Sequence, residues 1–210
     1  MNAEATEISK AGTAAAPQRT GAKAISTLAL VVLAGLMLAI GILSLMIYGA
    51  CDASGKSDAT PNYYAAAFAM GFGVGILGYL LFKWSFGWSA YIPLVLLTLL
   101  LIVVSSFNLY YFNSDSEMAG RAFNAGLIGV GSGLALGFIL SAIEAVPDLV
   151  RIQILGVLLS VAIVIFSIFG INTYQKCDKP ASVRPDLIAL GVMLGIGLLA
   201  FIGVIASFFI

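Results

Sequence analysis

Six apolar stretches, at roughly residues 25–50, 63–83, 90–111, 122–143, 151–172 and 187–210, constrain this chain more than any other feature. Each is near or beyond the ~20 residues an α-helix needs to cross a hydrocarbon layer ~30 Å thick. In hydrocarbon every backbone N–H and C=O must be satisfied within the protein, so stretches of this kind are helices. A soluble globule is not an alternative: only 10% of the 210 residues are charged and 61% are hydrophobic, whereas a soluble domain carries ~25% charged residues. The expected fold class is an all-α integral membrane protein with six transmembrane helices.

The connections are short and of two kinds. Polar loops follow the odd-numbered stretches (CDASGKSDATPN, FNSDSEMAGR, TYQKCDKPASVRPD), and tight loops follow the even-numbered ones (KWSFGWS, EAVPDLVR). This alternation pairs the helices as three tandem hairpins over residues 25–88, 89–148 and 149–210, together forming one membrane domain. Residues 1–24 are small and polar, and are expected to form a disordered tail because they lack apolar surface to offset the entropy of ordering. The first apolar stretch far exceeds the ~7–15 residues of a signal-peptide core. Gly49-Ala50-Cys51 is reminiscent of a lipoprotein cleavage site, but Tyr48 stands where such a site takes a small aliphatic residue.

The hairpins share a pattern. Tyr48, Tyr111 and Tyr174 stand at intervals of 63 residues. Cys51, Ser114 and Cys177 follow three residues later, then Asp52, Asp115 and Asp178. Each even-numbered stretch carries a glycine run: Gly71, Gly75 and Gly78; Gly126, Gly129, Gly133 and Gly137; Gly191, Gly195 and Gly203. The expectation is an internal triplication arranged about a pseudo-threefold axis, since parallel repeats around the membrane normal are an established membrane architecture. Spacings of three and four place these glycines on common helix faces. Such glycine zippers let backbones approach closely where no hydrophobic force drives helices together in lipid. The even-numbered helices should therefore pack inside and the odd-numbered helices should face lipid. The seams would serve packing within one protomer, contact with another subunit, or the wall of a pore.

Three other groups are candidate sites. A threefold ring would bring Cys51 and Cys177 to one depth, where a disulfide could staple repeat one to repeat three. Asp52, Asp115 and Asp178 would either be solvated loop carboxylates or form an acidic ring selecting cations. Lys83, Trp84 and Trp88 read as an interfacial anchor. Basic residues do not decide the orientation: Lys10, Arg19, Lys23, Lys83 and Arg151 lie on one side, and Lys56, Arg121, Lys176, Lys179 and Arg184 on the other. Arg19 and Lys23, preceding the first helix, favour cytoplasmic N- and C-termini in a plasma or inner membrane.

The chain has no histidine, which removes the usual general base, the commonest metal ligand and the usual haem ligand. Intramembrane ionisable residues mark ion and proton pathways, and here none lies at mid-membrane: Lys83, Glu144, Asp148 and Arg151 all sit at segment ends or in loops. No nucleophile–base pair can be assembled, and the two thiols have no second reactive group beside them. GFGVGILG lies inside a membrane helix and so is not a nucleotide fingerprint. With zero net charge there is no electrostatic case for nucleic acid. The expectation is a non-enzymatic structural or accessory subunit of a membrane assembly. Its partners would be the bilayer and other membrane subunits, in a hetero- or homo-oligomer. No cofactor is expected, although a lipid or quinone-like molecule could lie between the helices. The alternative is a small channel or transporter for small neutral or apolar solutes along the pseudo-threefold axis.

Overall fold

The computed structural model describes residues 16–50, 60–85, 91–111, 118–142, 147–176 and 184–208. Six helices run through them: α1 (Ala16–Ala50), α2 (Thr60–Ser85), α3 (Tyr91–Tyr111), α4 (Met118–Ala142), α5 (Asp148–Lys176) and α6 (Arg184–Ala206). Among the described residues there is no strand. All six helices are long and apolar enough to cross a membrane, the shortest such span being the 18 residues Leu94–Tyr111. This suggests a membrane location.

Proline marks the helix starts. Pro17, Pro61 and Pro185 are each the second residue of their helix, Pro93 is the third of α3, and Pro147 directly precedes α5. The first turn has no intrahelical use for its N–H groups, so a residue lacking one is tolerated there. The Arg151 N–H closes the first turn of α5 on the Pro147 carbonyl at 3.1 Å.

The start of α1 corrects one expectation. Residues 16–24, assigned to a disordered tail, are helical, so α1 runs 35 residues, about 52 Å. Alanine, glutamine, arginine and lysine in this stretch are good helix formers, and they continue a helix whose apolar part is already nucleated. Composition alone weighed their lack of burial and missed that propagation costs little.

Consecutive helices are in contact as α1 with α2, α3 with α4 and α5 with α6. The most extensive contact lies between hairpins, where α2 meets α4; α1 packs on α5, and more lightly on α6. The spatial order is thus α3–α4–α2–α1–α5–α6. The main core joins Leu30, Ala34, Met37, Ile40 and Ile47 of α1 to Ile76 of α2, Leu155, Leu159 and Ile163 of α5, and Leu190 of α6. A smaller cluster holds Tyr79, Leu94, Leu134 and Phe138.

This order departs from the expected ring of even-numbered helices with odd-numbered ones outside. α3 does lie outside, with Leu96, Leu99, Leu100, Val103 and Phe107 exposed. But α1 and α5 form the core, and α6 is peripheral: 11% of its apolar window is buried, against 44% for α1, α2 and α4. The physical reason is that lipid is as apolar as leucine, so hydrophobicity alone does not separate a core-facing helix from a lipid-facing one.

Ile163 is fully buried and Leu99 is exposed. Ile163→Ala is therefore expected to lower stability by about 2 kcal/mol or more through the cavity it leaves. Leu99→Ala should change stability little, and thermal unfolding in detergent checks both.

Candidate functional site

The closest backbone approach in the molecule is a seam between α2 and α4, where glycines of the two helices face each other. A Cβ at Gly71 would strike the Gly126 carbonyl, one at Gly75 the Val130 carbonyl, one at Gly129 the Phe68 carbonyl and one at Gly133 the Phe72 carbonyl, all under 3.0 Å. Gly137 lies directly against the Tyr79 ring. Gly78 and Gly126 make only ordinary contacts, the closest being Leu134 at 3.7 Å and the Ala67 carbonyl at 3.5 Å from the Cβ position. Gly191, Gly195 and Gly203 of α6 meet nothing within 4 Å. The glycines singled out in the sequence thus divide by helix: those of α2 and α4 lie on the seam, and those of α6 face outward.

Further close approaches involve glycines outside those faces. Gly41 of α1 abuts the Met70 backbone, with its Cβ position 2.6 Å from the Met70 nitrogen. Gly73 of α2 abuts Ala34 and Leu38 of α1, and Gly170 of α5 abuts Ser44 and Leu190. Gly41 and Gly170 stand in odd-numbered helices, where no run of glycines draws attention to them. A lone glycine in a long apolar helix is the only signal the sequence offers for them.

The two ends of the bundle differ. At the end where α2 and α4 finish and α5 begins, the Tyr79 and Ser141 hydroxyls are hydrogen-bonded. Arg151 donates from its guanidinium to the Ser141 carbonyl at 3.3 Å and pairs with Asp148 at 3.6 Å. Lys83 lies 5.9 Å from the centre of the Tyr79 ring. Trp84 beside it is 87% exposed. Gln153 donates to the carbonyl and hydroxyl of Ser207, at 3.1 and 3.0 Å, fixing the last turn of α6 to α5. These contacts tie the ends of four helices together with groups that also suit an aqueous interface.

At the other end stand the three repeat tyrosines, each within two residues of a helix terminus. Their surroundings differ. Tyr48 stacks on Tyr63 with centroids 4.4 Å apart, Tyr174 is buried in the main core, and Tyr111 is exposed against Phe107. The three equally spaced tyrosines therefore occupy three different environments. Cys51, Asp52, Trp88, Ser114, Asp115, Cys177 and Asp178 lie outside the described residues.

One contact does follow the sequence interval. α1 and α5 run parallel, with Leu30 beside Gly156 and Ser44 beside Gly170. Both pairs are separated by 126 residues, twice the tyrosine interval. α2 and α4 are also parallel but out of that register, since Gly71 meets Gly126. Among the described residues, no three His, Cys, Asp or Glu side chains gather as a metal site would require.

Because a Gly129 Cβ would enter the α2 backbone, Gly129→Ala is expected to destabilise the protein by about 1–3 kcal/mol. Gly191→Ala, in open space, should be neutral or stabilising by up to ~1 kcal/mol through helix propensity. Paired unfolding curves in detergent make the comparison. No protein-family model matches the chain, and comparison with curated proteins and with solved structures finds no match.

Proposed function

We propose that this chain is an integral membrane protein of three tandem hairpins, acting as a non-enzymatic structural or accessory subunit of a membrane assembly. The observation that carries the reading is the closed α2–α4 seam. Its glycines are used up by backbone contact within the protomer, while the apolar faces of α3 and α6 are turned outward. A protein built this way offers partners its flanks within the bilayer rather than a cleft. A channel along a threefold axis finds no such support, because α6 stands apart from the α2–α4 pair. The termini are assigned to the cytoplasmic side, the side of Arg19, Lys23, Lys83 and Arg151. Trp84 beside Lys83 supports an interface at that end. Gentle extraction in mild detergent or native nanodiscs is expected to recover stoichiometric companion chains. A lone, monodisperse species would count against the subunit reading.

The α1–α5 register bears on the proposed triplication and on the disulfide. Cys51 and Cys177 are also 126 residues apart, each directly following the last helical residue of α1 or α5. Parallel helices in this register support a Cys51–Cys177 bond on the side opposite the termini. Intact mass with thiol alkylation, before and after reduction, should show no alkylation before reduction and two additions after it. Two thiols that alkylate freely in the native protein would remove the staple.

A further inference from the structure

We infer that a water molecule is held inside the bundle between the hydroxyls of Ser44 and Ser167, where α1, α5 and α6 meet. Ser44 is 4% exposed and Ser167 is 0% exposed. Neither Oγ has a hydrogen-bond partner. Other buried hydroxyls, in α3 and α5, behave differently. Thr98 donates to the Leu94 carbonyl at 2.7 Å, Ser160 to the Gly156 carbonyl at 2.7 Å, and Thr173 to the Phe169 carbonyl at 2.9 Å. That return to the carbonyl four residues back is the ordinary way for a hydroxyl on a helix to be satisfied. Ser44 and Ser167 do not take it, and both side chains are enclosed by protein.

Their placement suits one shared partner. Ser44 Oγ lies 2.5 Å from the Cβ position of Gly170, so Ser44 sits at the level of Gly170 on α5. Ser167 is three residues earlier on α5, about 4.5 Å along the axis. Two hydrogen bonds through one water, meeting at a near-tetrahedral angle, join oxygens about 4.5 Å apart. A hydroxyl buried without a partner is unfavourable, and ordered waters are the usual remedy in polar interior sites. Ser44 lies six residues before the end of α1, about 9 Å below it. Tyr48 stands one turn above Ser44, and Tyr174 two turns above Ser167, between this site and the helix ends. Leu190 of α6 packs against Gly170 from the third side. A water has the dual donor–acceptor character that two unpartnered hydroxyls require.

Two measurements test the inference. In a structure in nanodiscs resolved well enough to show ordered water, density is expected within about 3 Å of both oxygens. Finding instead both hydroxyls bonded to the carbonyls of Ile40 and Ile163, with no density between them, would overturn it. The second test is thermal unfolding of Ser44→Ala, Ser167→Ala and the double variant. Each single change removes one end of the bridge and should lower Tm by about 2–4 °C. The double variant should lose less than the two shifts added together, because the water is already lost with the first change. Single variants that match or exceed the native Tm, or shifts that simply add, would mean that the hydroxyls share no water.

Discussion

The approach of α2 to α4 at carbonyl-to-Cα distance is the constraint on which the rest of the bundle depends. In the proposed bilayer setting lipid offers no hydrophobic reward for helix association, and stability comes from dispersion at close range and from weak Cα–H···O contacts. Both fall off steeply with distance. Glycine is disfavoured within a helix by roughly 1 kcal/mol relative to alanine, so its use at Gly71, Gly75, Gly129 and Gly133 is sensible only if the backbones do meet. They do. The remaining helices attach to this pair in turn: α3 to the outside of α4, α1 to α2, α5 to α1 and α6 to α5. The seam is also closed, which directs attention from its interior to the outer flanks of the molecule.

The two halves of the bundle are joined by different means. α4 meets α2 largely through glycine, with side chains such as Tyr79, Leu134 and Phe138 packed at one end. α1 meets α5 mainly through large side chains, with Met37, Ile40, Leu159 and Ile163 fully buried. That second interface is where polar side chains enter the core, as Ser44, Ser160, Ser167 and Thr173. Along the glycine stretch the α2–α4 seam leaves no room for hydroxyls, which enter it at its end as Tyr79 and Ser141, whereas a seam of side chains can enclose them along its length together with the proposed water.

Element positions were legible in the sequence because apolar length and proline placement are local properties. Helix ends agreed with the apolar stretches to within about four residues, apart from the start of α1, where propagation extended the helix past its apolar part. That consecutive helices touch was also legible, because short loops leave few other choices. The burial of α1 and α5 and the exposure of α6 were not. Gly191, Gly195 and Gly203 have the same spacing logic as the seam glycines, yet they face open space. Spacing says that a close approach is allowed; it does not say that a neighbour arrives. In the same way the three repeat tyrosines could be located but not told apart, because their burial depends on which hairpin stands beside each helix end.

For the proposed membrane setting, the parallel register of α1 and α5 has a mechanical consequence. Two helices locked at Leu30–Gly156 and again at Ser44–Gly170 are held at two levels about 21 Å apart, which fixes their mutual tilt. They cannot answer a thicker or thinner membrane one at a time. Adaptation to bilayer thickness falls to helices held on fewer sides, namely α3, resting on α4, and α6, with most of its surface free. The centre would keep its geometry from one membrane to another, and the periphery would take up the strain of mismatch.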